Sequence, residues 1–269
     1  MRFFTIFRVD NRQKILLVGF FIPLRVRTLS SQQIINMKKL YFLIVALFSI
    51  FSFCQDQVIT TSFPDALRAH LGKYNQKVNY AYEKNDFQTS KMLFDSLVNF
   101  HLKGTRFEDY TFKTFDRKKL QLSSIQKPIF ILTYASWCVP SKGEFQALNK
   151  LAEKHAKDIK FILLFWDKRK NIKEIARKFN NNIDVCYANE SYENDAPIVA
   201  HLKHTLGFPT SFFLDEKLRI VDIKRGGAHP QPNSSFSNAL TMNYDTFNIG
   251  LKSIILEKKM NTSQISDSN

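Results

Sequence analysis

Apolar and polar residues alternate in two different ways along the middle of the chain. Continuous apolar runs at residues 129–132, 161–166 and 183–187 predict strands that are buried on both faces of a sheet. Between these runs, apolar residues recur three and four positions apart, which predicts helices. One helix is expected from about Pro140 to His155, a second over residues 172–179, and a third that ends at Gly207. Strands separated by helices imply a parallel sheet with right-handed crossovers, an α/β architecture.

Hairpins are predicted on both sides of this α/β core. Apolar residues alternate between 107 and 122 around a charged turn at 116–119, which predicts a β-hairpin before the first core strand. Residues 211–214 and 220–224 flank a second charged turn and predict an antiparallel hairpin after the core. A last helix is expected around residues 247–255. The polar stretch 261–269 is expected to be a disordered tail.

Residues 55–104 predict a separate helical segment before the core. Its apolar positions recur at mixed spacings of three to five, and Gly104 is expected to end it. A structural cap is the preferred interpretation, and partner recognition is the alternative. The residues assigned to its apolar face are Phe87, Met92, Leu93, Leu97, Val98 and Phe100.

The first 54 residues have the pattern of an export signal preceded by an extension. After Met37, two lysines precede an apolar run at 40–53, which has the length of the apolar region of a secretory signal peptide. We therefore interpret 37–54 as a signal peptide and 1–36 as a mispredicted extension. An uncleaved anchor, or lipidation of Cys54, remains an alternative. Association with a membrane is expected only through such an uncleaved or lipidated N-terminus.

Composition and charge exclude several classes of function. Seven of the fifteen net positive charges lie in residues 1–54, and no basic stripe is interleaved with aromatic residues, so nucleic acid is not an expected partner. The chain has no glycine-rich phosphate loop, and we expect no cofactor. Its three cysteines give neither a disulfide framework nor zinc spacing. His201 and His204 share a helical face but have no evident third ligand, so no metal site is predicted.

Cys138 is the residue with the clearest chemical potential. It follows the apolar run 129–132, and Pro140 is tolerated in the first turn of a helix, so the pattern places Cys138 at a helix N-terminus. The dipole there stabilises an anion and lowers the pKa of a thiol below about 8.5. We therefore expect Cys138 to be a nucleophilic thiolate.

The sequence around Cys138 resembles the active centre of the thioredoxins. Trp137-Cys138-Val139-Pro140 resembles their Trp-Cys-x-Pro-Cys motif, and the wider context resembles the exported, TlpA-type thioredoxin-like reductases. Glu144 matches a glutamate of that group, and the segment 207–210 resembles the cis-proline loop that faces the cysteine. The resemblance implies a thioredoxin fold with an N-terminal β-hairpin and an inserted helix, preceded here by the short helical segment and spanning about 105–260.

The resemblance also implies roles for the residues of the motif, with one departure. Ser141 stands where the second cysteine is expected, so only a monothiol reaction is available unless Cys186 serves as a resolving cysteine. Cys186 lies in an apolar strand, where a structural role is preferred. Ser141 is expected to donate a hydrogen bond to the thiolate. Glu144 would assist proton exchange by resemblance, although a role at the helix dipole is equally compatible with its position. The residues expected to contact substrate are Trp137, Pro140, Phe208, Pro209 and Thr210.

These observations predict an exported, most plausibly periplasmic, thiol-disulfide oxidoreductase. Its expected partners are proteins with thiols or disulfides and an external thiol reductant. A thiol peroxidase is a second enzymatic alternative, but Ala135 stands where such enzymes carry Thr or Ser. The non-enzymatic alternative is a thioredoxin-fold module that binds extended peptides.

Overall fold

A seven-stranded mixed sheet forms the centre of the protein. The computed structural model describes residues 60–266, with side chains up to residue 260. The strands are β1 (Thr111–Thr114), β2 (Lys119–Gln121), β3 (Ile129–Tyr134), β4 (Lys160–Phe165), β5 (Ile183–Tyr187), β6 (Thr210–Leu214) and β7 (Ile220–Arg225). Their order in the sheet is β2-β1-β5-β4-β3-β6-β7.

The core of the sheet is parallel and its edges are antiparallel. β3, β4 and β5 pair in parallel, β6 and β7 form an antiparallel hairpin next to β3, and the β1–β2 hairpin joins β5. All six residues of β3 are buried, as expected for a strand covered on both faces. The predicted strands, parallel core and two hairpins are therefore present.

Helices cover both faces of the sheet. The helices are α1 (Phe63–Glu83), α2 (Phe87–Leu97), α3 (Glu144–His155), α4 (Lys173–Ala176), α5 (Ala196–Ile198) and α6 (Phe236–Ser266). π-helical turns at Val98–Leu102 and Val199–Lys203 continue α2 and α5. Side chains of α1, α2 and α5 pack in one apolar cluster, and those of α3 and α6 pack in a second. Alternate residues of β3 and β4 belong to the two clusters, so the clusters lie on opposite faces of the sheet.

The helical segment before Gly104 packs directly on the sheet. Phe63 is fully buried, and its ring centroid lies 5.5 Å from that of Phe107 and 5.9 Å from that of Phe212 in β6. Its apolar face differs from the predicted one, because Phe87, Met92 and Phe100 are 66%, 57% and 79% exposed. Leu97 and Val98 are buried as expected, and the other buried apolar positions between residues 87 and 102 are Phe94 and Leu102.

Two helices differ in length from their predictions. The periodic stretch around residues 172–179 forms only the single turn of α4, after a 3-10 turn at Arg169–Ile172. In contrast, α6 begins eleven residues before Phe247 and continues to Ser266. The predicted disordered tail, 261–269, therefore begins inside α6, and the prediction for its last three residues lies outside the described residues.

The fold class is confirmed: a mixed α/β sheet carries helices on both faces and is preceded by a helical segment. The predicted extension at 1–36, the signal peptide at 37–54 and Cys54 lie outside the described residues, as do residues 55–59. Within residues 60–266, no helix combines the length and the apolar character that a membrane crossing requires.

Candidate active site

Cys138 lies in the loop between β3 and α3, six residues before the helix begins. Its backbone N–H donates to the carbonyl of Ala135 at 3.0 Å, which closes a tight turn after the buried strand. The thiol is half-buried and packs against the cluster beneath α3 and α6. A loop after a buried strand therefore presents one cysteine near the surface.

The predicted start of the helix at Pro140 is wrong. α3 begins at Glu144, and the residue that caps it, Gly143, has a φ of +81°. This left-handed conformation, which glycine adopts without steric cost, turns the chain immediately before the helix. Pro140 is therefore not in the first helical turn, and Cys138 does not lie at the helix N-terminus.

The pKa of the Cys138 thiol is raised, not lowered as the sequence predicted. Partial burial is the largest cause, and the carboxylates of Asp167 and Glu144 add to it, while a backbone hydrogen bond from Ala135 acts in the opposite direction. Burial and nearby negative charge both disfavour the thiolate. Without a helix N-terminus at the sulfur, the compensating dipole is missing.

Asp167 is a site residue that the sequence analysis missed. It follows β4, and its carboxylate accepts hydrogen bonds from both the backbone N–H and the hydroxyl of Ser136, each at 2.7 Å. The neighbouring strands bring it there, because the Trp166 N–H donates to the carbonyl of Tyr134 and extends the β3–β4 pairing. Its position as the first polar residue after a buried strand was the available signal.

Ser141 does not interact with Cys138 as predicted. Its hydroxyl donates to Oδ1 of Asn243 in α6 at 2.8 Å, and its backbone N–H donates to Oε2 of Glu144 at 2.8 Å. Asn243 was also missed, although it is the one polar residue in the run of buried α6 positions Ala239, Asn243, Phe247, Leu251 and Ile254. The serine is therefore anchored to two buried side chains.

Glu144 is buried at the start of α3, with 4% of its surface exposed. Burial raises the pKa of its carboxyl, while the hydrogen bond from the Ser141 N–H, the nearby Ser141 hydroxyl and the charge of His229 lower it by less. Its second oxygen, Oε1, has no hydrogen-bond partner among the described residues. Glu144 lies near enough for its charge to affect the Cys138 thiol, and it holds a proton more readily than an exposed glutamate does.

The segment 207–210 places the aromatic ring of Phe208 beside the cysteine loop. The Phe208–Pro209 peptide bond is cis, as the resemblance implied. The ring of Trp137 packs edge-on against that of Phe208, with centroids 5.5 Å apart. Trp137 and Val139 are 73% and 92% exposed, so large apolar groups flank the sulfur in solvent.

Two of the residues expected to contact substrate are less available. Thr210 is fully buried, and its hydroxyl donates to the carbonyl of Gly207 at 2.9 Å within its own loop. The carbonyl of Pro209 accepts from the N–H of Gly226 at 2.8 Å. Pro140 is half-buried in the cysteine loop.

Cys186 is not brought to Cys138. It is fully buried in the apolar cluster on the opposite face of the sheet, and burial raises the pKa of its thiol. Along the sheet it is level with Leu164 and Thr133, so it lies two strand spacings, about 10 Å, from β3. A disulfide needs its two Cα atoms within about 7 Å. Both cysteines are free, and this geometry does not support a resolving role for Cys186.

The two predicted helix histidines make separate contacts. Nδ1 of His201 lies 2.8 Å from the hydroxyl of Tyr110, and Nε2 of His204 lies 3.3 Å from a carboxylate oxygen of Glu190. Between residues 60 and 266, no group of three or more His, Cys, Asp or Glu side chains is arranged to hold a metal ion.

Comparison with known proteins gives one curated relative and a set of solved structures. No protein-family model matches the chain. Thioredoxin-like protein YneN of Bacillus subtilis is 25% identical over 130 residues, which cover 46% of this chain and 71% of YneN.

Three solved structures illustrate the structural neighbours. A secreted Mycobacterium tuberculosis disulfide oxidoreductase homologous to E. coli DsbE is 16% identical, with a TM-score of 0.37 over 50% of this chain and 93% of its own. StoA from Bacillus subtilis is 19% identical, with a TM-score of 0.35 over 44% and 87%. A thiol-disulfide oxidoreductase from Bacteroides fragilis is 18% identical, with a TM-score of 0.34 over 44% and 88%.

The topology of the chain agrees with the fold that the resemblance implied. A half-buried cysteine follows the central strand, and a cis-proline loop lies beside it. A hairpin precedes that strand, and a further strand and a short helix lie between β4 and the cis-proline loop. The chain therefore has the predicted α/β fold, and it is similar over 130 residues to a thioredoxin-like protein.

Proposed function

We propose that this protein is an exported thiol-disulfide oxidoreductase that acts through the single cysteine Cys138. The observation that carries the proposal is the arrangement of a half-buried thiol beside the exposed Trp137 and the cis Phe208–Pro209 loop, with no second thiol near it among residues 60–260. Structural neighbours described as disulfide oxidoreductases agree with this chemistry. Export is inferred from the signal-like segment 37–54, and the bacterial periplasm is the proposed compartment.

The reaction is an exchange of sulfur partners. The Cys138 thiolate attacks one sulfur of a substrate disulfide, the substrate S–S bond breaks, and the other substrate sulfur leaves as a thiolate that takes up a proton. The resulting mixed disulfide is attacked by the thiolate of an external thiol, which releases Cys138. The external thiol thus replaces one sulfur of the substrate, and the protein returns to its starting state.

The neighbouring residues have distinct roles in this proposal. Trp137, Val139 and Phe208 provide an apolar surface for the chain that carries the disulfide. The buried carboxyl of Glu144, whose pKa is raised by burial, exchanges the proton that the thiol loses and regains. Asp167 holds the Ser136 end of the loop.

The experiment is to react the protein with a peptide joined by a disulfide to a small thiol and to follow exchange with an added thiol donor. We expect turnover by the wild type and by Cys186→Ala, and a covalent mass adduct on Cys138 when the donor is withheld. Cys138→Ser should lose both the turnover and the adduct. Exchange no faster than that of free cysteine would exclude the proposed reaction.

A peptide-binding module is the second candidate, favoured by the raised pKa of Cys138 and by the exposure of Trp137 and Val139. In this case the apolar surface would retain extended peptides without covalent chemistry. Peptide binding that is equal in the wild type and Cys138→Ser, without exchange activity, would favour this candidate. Trp137→Ala should weaken binding in either case.

A further inference from the structure

The loop that carries Cys138 is held by a side chain from the far end of the sequence. Asn243 of α6 is fully buried and makes three hydrogen bonds. Its Nδ2 donates to the carbonyl of Lys142 at 3.1 Å and to that of Ala239 at 3.0 Å, and its Oδ1 accepts from the Ser141 hydroxyl at 2.8 Å. One amide therefore binds two successive residues of the loop.

These partners determine the direction of the Ser141 hydrogen bond. Two carbonyl oxygens face one end of the Asn243 amide, so that end must be the NH₂ donor and the other end must be the acceptor. The Ser141 hydroxyl has one proton and donates it to Oδ1. Its backbone N–H is donated to Glu144. Neither donor of Ser141 is therefore directed to the sulfur three residues earlier.

The backbone of α6 also lies directly against the loop. A Cβ placed on Gly143 would lie 2.9 Å from Cα of Leu240, one helical turn before Asn243. A side chain at residue 143 would therefore separate the helix from the loop. This close approach fixes Asn243 above Ser141.

We propose that Asn243 is a positioning residue of the thiol centre. It accepts the hydrogen bond of the Ser141 hydroxyl, so that this hydroxyl is not donated to Cys138. The inference rests on the proposed function only for its consequence, the reactivity of Cys138. Ser141 is then an anchor of the loop, and the thiolate lacks a donor that the sequence places within three residues. The raised pKa of the Cys138 thiol agrees with this arrangement.

The test measures the pH dependence of Cys138 alkylation by iodoacetamide, followed by peptide mass, in the full-length protein. Asn243→Ala should free the hydroxyl to stabilise the thiolate. Because a hydrogen bond to a charged group is stronger than one between neutral groups, the alkylation midpoint should fall by about one to two pH units. The double variant Asn243→Ala/Ser141→Ala should lose this fall. Asn238→Ala, at an exposed position of the same helix, is the matched control and should not shift the midpoint.

Two results would overturn the inference: a wild-type midpoint in Asn243→Ala, or a fall that persists in the double variant. Because Asn243→Ala can unfold the loop, Ser141→Ala alone is a second test. It should leave the midpoint unchanged, and a clear rise would mean that the hydroxyl already reaches the thiolate. Absence of exchange activity with the expected shifts intact would reject the proposed function and retain the role of Asn243.

Discussion

The surroundings of Cys138 shift the pKa of its thiol in the direction opposite to that expected for a helix-terminal cysteine. Partial burial and two carboxylates favour the protonated thiol, so little thiolate is present at neutral pH. A thiolate of higher pKa is intrinsically more nucleophilic, which partly offsets its low abundance. The proposed exchange therefore depends on the apolar surface, which would hold the substrate disulfide at the sulfur.

The first prediction concerns the titration of this thiol. The alkylation rate of Cys138 should rise with pH and reach half its maximum above about 8.5, the ordinary value for a free thiol. At pH 7 the rate should be lower than that of free cysteine. Peptide mass analysis after timed alkylation checks this, with Cys186→Ala as the control for the other thiol of the domain. A midpoint below 8.5 would contradict the environment described for Cys138.

The second prediction concerns Glu144. Glu144→Gln removes one of the two carboxylates that disfavour the thiolate, so the alkylation midpoint of Cys138 should fall. The stability effect has a definite sign, because the folded protein raises the pKa of Glu144. Glu144 makes its full contribution to the free energy of unfolding below the unfolded pKa of about 4.3. This contribution is lost as pH rises through the higher pKa of the folded state.

Urea unfolding of both proteins from pH 4 to pH 8 provides the measurement. The free energy of unfolding of the wild type should fall relative to that of Glu144→Gln as pH rises from 4 to 8. A difference independent of pH would mean that Glu144 has an ordinary pKa. Glu153→Gln, on the same helix, is a suitable control, and it should not change the alkylation midpoint.

The resemblance implied that Glu144 acts on Cys138, whereas the spacing of six residues left its direction open; in the structure its charge helps to raise the pKa of the thiol. The sequence could not identify the partner of Ser141, since Asn243 is 102 positions away along the chain. Asp167 was accessible in principle, because parallel neighbouring strands bring their carboxyl ends together. The direction of a hydroxyl proton, in contrast, depends on which acceptor the fold supplies.

Helix α3 begins where it does because α6 lies against the preceding turn. Pro140 was compatible with an earlier start, but the left-handed Gly143 interrupts the helical path just before Glu144. Local sequence preferences allow either boundary. The contact with Leu240 selects the later one, and with it the distance between Cys138 and the helix terminus.

The third prediction tests this contact with a pair of glycines. Gly143→Ala should destabilise the protein by about 1 to 3 kcal/mol, because alanine disfavours a φ of +81° and its Cβ would press on Leu240. Gly72→Ala, in the interior of α1 with open space around it, should be neutral or stabilise by up to about 1 kcal/mol. Urea unfolding at pH 7 measures both. Equal effects would mean that the turn before α3 has no special requirement for glycine.

Helix α2 was predicted correctly as a helix, but its buried face was assigned in part to the wrong residues. Its apolar residues recur at mixed spacings, which fit more than one stripe. The stripe that packs contains Phe94 and Leu97, whereas Phe87 and Met92 face solvent. In the π-helical turn Val98–Leu102 that follows, Val98 and Leu102 are buried and Phe100 is exposed.

The central sheet was the most predictable part of the molecule. Its parallel strands are continuous apolar runs, and both hairpins have charged turns. The strands and their parallel or antiparallel connections therefore follow from the sequence pattern and from general rules of chain connection. The attachment of α1 and α2 to the sheet was not predictable. It depends on aromatic contacts between Phe63, Phe107 and Phe212, which are up to 149 residues apart.

The last prediction is that the N-terminal helices and the sheet unfold as one unit. Phe63 is fully buried, and its ring contacts Phe212 of β6, the strand that follows the cis-proline bond. Removing a buried phenylalanine costs about 3 to 5 kcal/mol, a large share of the stability of a domain of this size. Phe63→Ala should therefore lower the midpoint of a single cooperative urea transition.

Phe100→Ala is the matched control, because a side chain that is 79% exposed should change stability by less than about 0.5 kcal/mol. Tryptophan fluorescence reports the sheet mainly through Trp166, which follows β4 and is buried, because Trp137 is already exposed, and circular dichroism reports the helices. Coincident transitions in both signals would show that the helical segment is part of the folding unit. If Phe63→Ala separated the two signals, α1 and α2 would be an independent attachment, and the sheet that carries Cys138 would be stable without them.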